Sequence, residues 1–169
     1  VIDTAKYLEK KGVTVTFLPV DKAGRVSPDD VRNAITGKTI LISVMLANNE
    51  VGTIQRIKEL CAVAHDRGAL FHCDAVQAVG KIDVDIEDLG VDLLTISGHK
   101  FHGPKGVGAL FVRKGVALEP LVHGGRQEHG LRAGTENVAG IVGLGVAAES
   151  AGQELDRRVF AGPRSVDAD

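Results

Sequence analysis

In the segment SGHKFHGPKG, Ser97 to Gly106, His99 and Lys100 stand directly after the apolar run VDLLTI. A lysine amine partly withdrawn from water and close to another cation is a nucleophile for carbonyl carbon. Ser97 and His99, two residues apart, can both donate hydrogen bonds to a phosphate, and Gly98 between them lets the backbone approach closely. Gly103, Gly106 and Gly108 shape the return path. Further upstream, Asp74 ends the apolar run ALFHCD, and Gln77 follows three residues later. A strand-end aspartate commonly starts a turn. It can equally face a cationic ring nitrogen, keeping that ring protonated and able to act as an electron sink. A Schiff-base amine, two phosphate donors and a distant carboxylate are together what pyridoxal phosphate needs.

Other chemistries fit these residues less well. There is no GxSxG elbow, no GxxxxGK[ST] loop and no GxGxxG opening a helix. GPKGVG precedes a strand rather than a helix, which weakens it as a phosphate loop. A metal site is the alternative from another class, because His72 and Asp74 alternate onto one strand face and His99 or His102 could approach them. A strand histidine is more commonly a hydrogen-bonded core residue, so no metal is assigned. HGGRQEHGLRAGTEN, His123 to Asn137, is a second unusual stretch. It reads either as a plain surface loop before a helix or as a binding loop, with Thr135 capping the last helix and offering its N-terminus to an anion.

These residues need a scaffold, and apolar periodicity supplies alternating helices and strands. VIDTAKYLEKK reads as a helix closed by Gly12, and VTVTFLPV as a strand. Ser27-Pro28 caps and opens a helix over DDVRNAI. KTILISVML shows little alternation, as in a strand covered on both faces. A helix around RIKELCAVAHDRG, the strand ALFHCD, a short helix near Ile86 to Leu89 and the strand VDLLTIS follow. Strand-helix-strand repetition implies parallel pairing. VGALFVRK comes too soon after VDLLTIS for a crossover helix, so it pairs antiparallel or inserts beside it. A last helix spans roughly Glu136 to Leu155, with Gly140, Gly143 and Gly145 allowing close packing in its first half. The expected fold is α/β, a mostly parallel sheet with helices on both faces. In such sheets ligands sit beyond the carboxyl ends of the strands. The loops LANNEVG, HCDAVQAVGK and SGHKFHGPKG all begin there.

Composition is that of an ordinary globular domain. Apolar residues make up 44% and charged residues 25% of the 169 positions, enough for a sizeable core. A net charge of -2 gives no basic stripe for nucleic acid. No apolar run is long enough for a membrane span, and no signal segment is visible, so a cytoplasmic location is expected. Cys61 and Cys73 form no CxxC pair and indicate neither a disulfide framework nor a zinc knuckle.

DAVQAVGK, SGHKFHGPKGVGALFVRK and HGGRQEHGLRAGTEN together resemble the NifS-like cysteine desulfurases, a branch of the class V aminotransferase group within the fold-type I pyridoxal-phosphate enzymes. The resemblance implies that Lys100 carries the cofactor, Asp74 pairs with the ring nitrogen and Gln77 with the ring hydroxyl oxygen. Ser97 and His99 match phosphate ligands, and Asn49 an asparagine near the ring and the substrate carboxylate. Thr135 matches a phosphate ligand reaching the cofactor of the opposite subunit, which implies a homodimer. The implied reaction removes sulfur from L-cysteine, giving L-alanine and an enzyme persulfide that passes sulfur to an acceptor protein, for iron-sulfur cluster or thio-cofactor assembly. Related class V enzymes, a selenocysteine lyase or an aminotransferase, are the neighbouring reading.

The sequence departs from the family in several places. The family's nucleophilic cysteine matches neither Cys61 nor Cys73, and its substrate-binding arginine, ring-stacking histidine and N-terminal phosphate loop have no match. The chain starts at VIDTAKYLEKKG without an initiating methionine and ends in the polar FAGPRSVDAD. The expectation is therefore a piece of a longer enzyme, inactive by itself. Residues 1–155 would be a partial cofactor-binding large domain and 156–169 a polar tail outside the family pattern.

Overall fold

The computed structural model describes residues 1–161. These form helices α1 (Ile2–Glu9), α2 (Pro28–Ala34), α3 (Ile57–His65), α4 (Ile86–Leu89) and α5 (Val138–Ala161), and strands β1 (Leu41–Met45), β2 (Leu70–Asp74), β3 (Leu93–Ser97) and β4 (Gly108–Val112). The strands make one sheet in the order β1-β2-β3-β4. β1, β2 and β3 are parallel, with Ser43 opposite His72 and Asp74 opposite Thr95. β4 returns antiparallel along β3, from Leu93 opposite Val112 to Ser97 opposite Gly108. This is the open, mostly parallel α/β sheet with helices that the periodicity predicts. No helix among the described residues is long and apolar enough to cross a membrane.

The core lies on one face of the sheet. Ile57, Leu60, Cys61 and Ala64 repeat at helical spacing, so α3 turns one continuous apolar stripe inward. That stripe meets Phe71 and Cys73 of β2, both fully buried, with Ile42, Val44 and Leu94 alongside. Local signals fix the helix ends. Ser27 Oγ accepts the Asp29 N–H ahead of Pro28, and Asp85 Oδ1 accepts the N–H groups of Glu87 and Asp88.

One buried carboxylate ties the layers together. Asp92, just before β3, accepts the Phe71 N–H and a hydrogen bond from His65 Nε2 at the end of α3, both at 2.8 Å. Helix, central strand and third strand thus share one acceptor at the end of the sheet away from Lys100.

Several local expectations are corrected. VTVTFLPV forms no strand; Val13, Phe17 and Val20 are exposed, and no described strand pairs with the segment. Strand propensity without a ladder partner does not make a strand. β1 alternates exposed and buried residues rather than being covered on both sides, because helices pack only beneath its Ile42 and Val44 face. The last helix starts at Val138 and runs to Ala161, beyond the expected end at Leu155. Its cap is Asn137, whose Oδ1 accepts the Gly140 N–H at 3.1 Å. Thr135 lies two residues too early to serve. Of the α5 glycines, Gly143 does allow close packing, since a Cβ there would stand 2.5 Å from Pro104 Cγ, whereas Gly145 has nothing within 4 Å. The rest of the expected polar tail, 162–169, lies outside the described residues.

Replacing Asp92 by alanine leaves the buried Phe71 N–H without an acceptor, and should destabilise the fold by about 2 kcal/mol. Urea unfolding of the two chains measures this.

Candidate active site

Parallel pairing sends β1, β2 and β3 to the same edge of the sheet, so the segments that follow them are neighbours. After β1 the chain makes a tight turn around Asn48. Its Oδ1 accepts the N–H groups of Glu50 and Val51 at 2.9 and 3.0 Å. Asn48 is thereby committed to the turn, and Asn49 is left exposed.

Asp74 is the last residue of β2 and is half-buried. Its Oδ1 accepts the Val76 N–H at 3.0 Å, which fixes the carboxylate and realises the strand-end turn. No described residue donates to its other oxygen. In the turn that follows, Gln77 Oε1 accepts a hydrogen bond from Lys81 Nζ at 3.0 Å, so its NH2 is the part available to a ligand.

Beyond β3, Gly98–Phe101 form a single 3-10 turn carrying His99 and Lys100. Ser97 Oγ and His99 Nδ1 are 3.0 Å apart, so hydroxyl and imidazole form one cluster. Lys100 is half-buried between exposed His99 and buried Phe101. The backbone under it is held by Gly98 N–H to Val107 O at 3.0 Å and Gly103 N–H to Gly98 O at 2.9 Å. A Cβ on Gly103 would sit 2.9 Å from the Gly98 oxygen, so only glycine closes this turn. His102 completes it in the left-handed conformation, at φ 68°. α5 packs against the same turn, with Leu144 near Gly98 and Ala147 near Gly103. A groove of about 700 Å³ between them is bordered by Lys81, Lys100, His102 and Ser150.

Asp74, Ser97, His99 and Lys100 therefore share one edge, with Asn49 on the loop after the neighbouring β1. Thr135 is not part of that group. It is exposed in the loop before α5, and no side-chain hydrogen bond joins it to Ser97, His99 or Lys100 among the described residues.

Sequence reasoning missed a row of side chains behind Asp74. His72 Nδ1 meets Ser43 Oγ at 2.8 Å and its Nε2 meets Thr95 Oγ1 at 2.7 Å. Both ring nitrogens are thus taken by hydroxyls of the flanking strands, which leaves no lone pair for the metal considered at His72 and Asp74. The described residues contain no group of three or more metal-ligating side chains. Burial lowers the His72 pKa below its ordinary 6.5, against the opposing pull of the Asp74 carboxylate. The ring is a neutral bridge across three strands. The cysteines are inert. Burial, reinforced by Asp92, pushes the Cys61 thiol up to about 11, and burial with Asp74 pushes Cys73 up to about 12.

A family model described as aminotransferase class-V matches residues 2–159. The chain belongs to that family. It is 58% identical over 156 residues to the cysteine desulfurase IscS of Methanosarcina thermophila, covering 92% of this chain and 39% of that protein. With the cysteine desulfurase IscS of Dictyoglomus turgidum it shares 56% identity over 159 residues, 94% of this chain and 40% of that one. Among solved structures, a NifS-like protein superposes with a TM-score of 0.90 at 48% identity, covering 93% of this chain and 44% of its own. SspA in complex with cysteine gives a TM-score of 0.85 at 44% identity, covering 95% and 49%. The chain thus spans about two fifths of the length of the curated relatives it matches.

The depressed His72 pKa has a sign that can be checked. The unfolded chain takes up the proton first, so the stability His72 contributes is full above its ordinary 6.5 and is lost as pH falls through the lower folded value. Unfolding free energy should drop as pH falls below the ordinary 6.5, and His72→Asn should flatten that drop. An unchanged pH profile in the variant would show that His72 is not the titrating group.

Proposed function

We propose that this chain is the cofactor-bearing part of a cysteine desulfurase, in which Lys100, Asp74, Ser97 and His99 hold pyridoxal phosphate. The observation that carries the reading is that these four residues stand at the carboxyl ends of two adjacent parallel strands, in a chain 58% identical to a cysteine desulfurase. Enzymes of the class-V family use this cofactor, and the donor set fits it chemically. The residues offer an amine for its aldehyde, a carboxylate for its ring nitrogen, and a hydroxyl-imidazole pair at 3.0 Å for its phosphate. When bound, the cofactor supplies an electron sink for charge developing at the substrate α carbon.

The settings of these residues support the parts proposed for them. Lys100 Nζ would be the amine that holds the cofactor's aldehyde, and the same amine would serve as the base for the proton at the α carbon of L-cysteine. The backbone bonds of Gly98 and Gly103 hold it on a fixed turn, so little reorganisation is needed. Asp74 keeps a proton on the ring nitrogen, and its bond from Val76 N–H sets the direction of the carboxylate. A neutral His72 leaves that carboxylate without a competing cation from its own strand. By the family resemblance, Gln77 would offer its NH2 to the ring oxygen, and the exposed Asn49 would face the ring and the substrate carboxylate.

Thr135 acts on a second copy of the chain in a homodimer. Its exposure supports this, as does the apolar surface near it, where Leu121, Val138 and Val142 are exposed. The nucleophilic cysteine that takes the substrate sulfur is neither Cys61 nor Cys73 in this reading, because a buried thiol held near 11 or 12 is neither ionised nor reachable. The 1–155 segment is in this reading a partial large domain, and the chain alone forms no alanine.

Titrating the chain with pyridoxal phosphate, followed by absorbance, tests the assignment. Lys100→Ala should abolish covalent uptake, and Asp74→Ala should weaken binding by about tenfold or more. Equal affinity in the Asp74 variant contradicts the ring-nitrogen role. Alanine produced from L-cysteine by the unsubstituted chain contradicts the requirement for an outside cysteine.

A further inference from the structure

The exposed loop before α5 is fastened on both sides of Gly134. The Gly134 N–H donates to Gln127 Oε1 at 3.1 Å, and the Gly134 carbonyl accepts from Arg132 Nη1 at 2.7 Å. Arg132 also reaches Ala133 O and, through Nη2, Glu128 Oε1, each at 3.4 Å. Both polar groups of the residue preceding Thr135 are therefore held by side chains of the same loop. The sequence is arranged for this. A Cβ on Gly125 would lie 2.3 Å from Gln127 Oε1, so glycine is what allows the amide to fold inward. Glu128 and His129 follow with φ of 48° and 58°, a left-handed pair that non-glycine residues adopt only under constraint. That pair reverses the chain, and Gln127 and Arg132 reach Gly134 from its two ends. Ala133 is buried and bonds to Val122 O at 3.2 Å.

A plain surface connection has no need of such fastening. An unfastened Thr135 would have to be ordered when it met a ligand, and the ordering entropy would subtract from affinity. We propose that Gln127 and Arg132 are positioning residues for Thr135, fixing the peptide before it so that its hydroxyl meets a cofactor phosphate without reordering the loop. The proposal rests on the pyridoxal-phosphate reading above. It accounts for the spacing of Gly125, Gln127, Arg132 and Gly134, which that reading leaves unexplained.

A double-mutant cycle on pyridoxal phosphate affinity separates positioning from general support. Gln127→Ala should weaken binding roughly fivefold when Thr135 is present. In a Thr135→Ala background the same change should have an effect below about twofold, and Arg132→Ala should behave likewise. Hydrogen exchange on the unliganded chain gives a second readout: the Gly134 amide should be protected, and Gln127→Ala should release it while the α5 amides stay unchanged. Equal losses with and without Thr135, or an unprotected Gly134 amide in the unsubstituted chain, overturn the positioning role and leave the cofactor reading standing. Full affinity in Thr135→Ala removes the phosphate role of Thr135 and the proposal with it, while failure of the unsubstituted chain to bind pyridoxal phosphate overturns the cofactor reading itself.

Discussion

The structure depends on the parallel pairing of β1, β2 and β3. Backbone hydrogen bonds align these strands in one direction, so everything that follows their carboxyl ends is gathered at one edge. Asp74 and Lys100 are 26 positions apart in sequence, and neither has any reason to meet the other except through this ladder. The antiparallel return of β4 completes the arrangement, because its first residue, Gly108, pairs with Ser97 and closes the segment that carries Lys100.

Rigidity at that edge comes from several short-range devices. The Lys100 turn is pinned by two backbone hydrogen bonds and backed by α5. Behind Asp74, Ser43, His72 and Thr95 form a hydroxyl-imidazole-hydroxyl row that binds three strands laterally on the face that α3 does not cover. At the far end of the sheet, Asp92 performs a related service for α3, β2 and β3. Burial keeps both thiols protonated and His72 neutral. Chemically competent groups are thus left at the carboxyl edge and quiet ones inside.

Much of this was legible in the sequence where signals are local. The short helix at Ile86 to Leu89, the strands ending at Asp74 and Ser97, and the antiparallel return at Gly108 all follow from apolar runs bounded by caps and glycines. Lys100 and Asp74 could be singled out because a strand's end is a position, and position decides what a side chain can reach. What remained hidden depends on tertiary register. Ser43 and Thr95 lie 29 and 23 residues from His72, and no local pattern marks them as its partners. VTVTFLPV has strand propensity but no neighbour to pair with. Asn137 rather than Thr135 caps α5 because the helix starts two residues later than its apolar pattern suggested. The fastening of Gly134 was also invisible, since its donors and acceptors meet only after Glu128 and His129 turn the chain back.

The central claim is that the end of β3 exists to hold a cofactor on Lys100. Incubating the chain with pyridoxal phosphate, reducing with borohydride and mapping the modified lysine by peptide mass spectrometry tests it directly. The site described here predicts modification concentrated on Lys100. Labelling scattered over exposed lysines such as Lys38 and Lys58, with Lys100 unmodified, would contradict it.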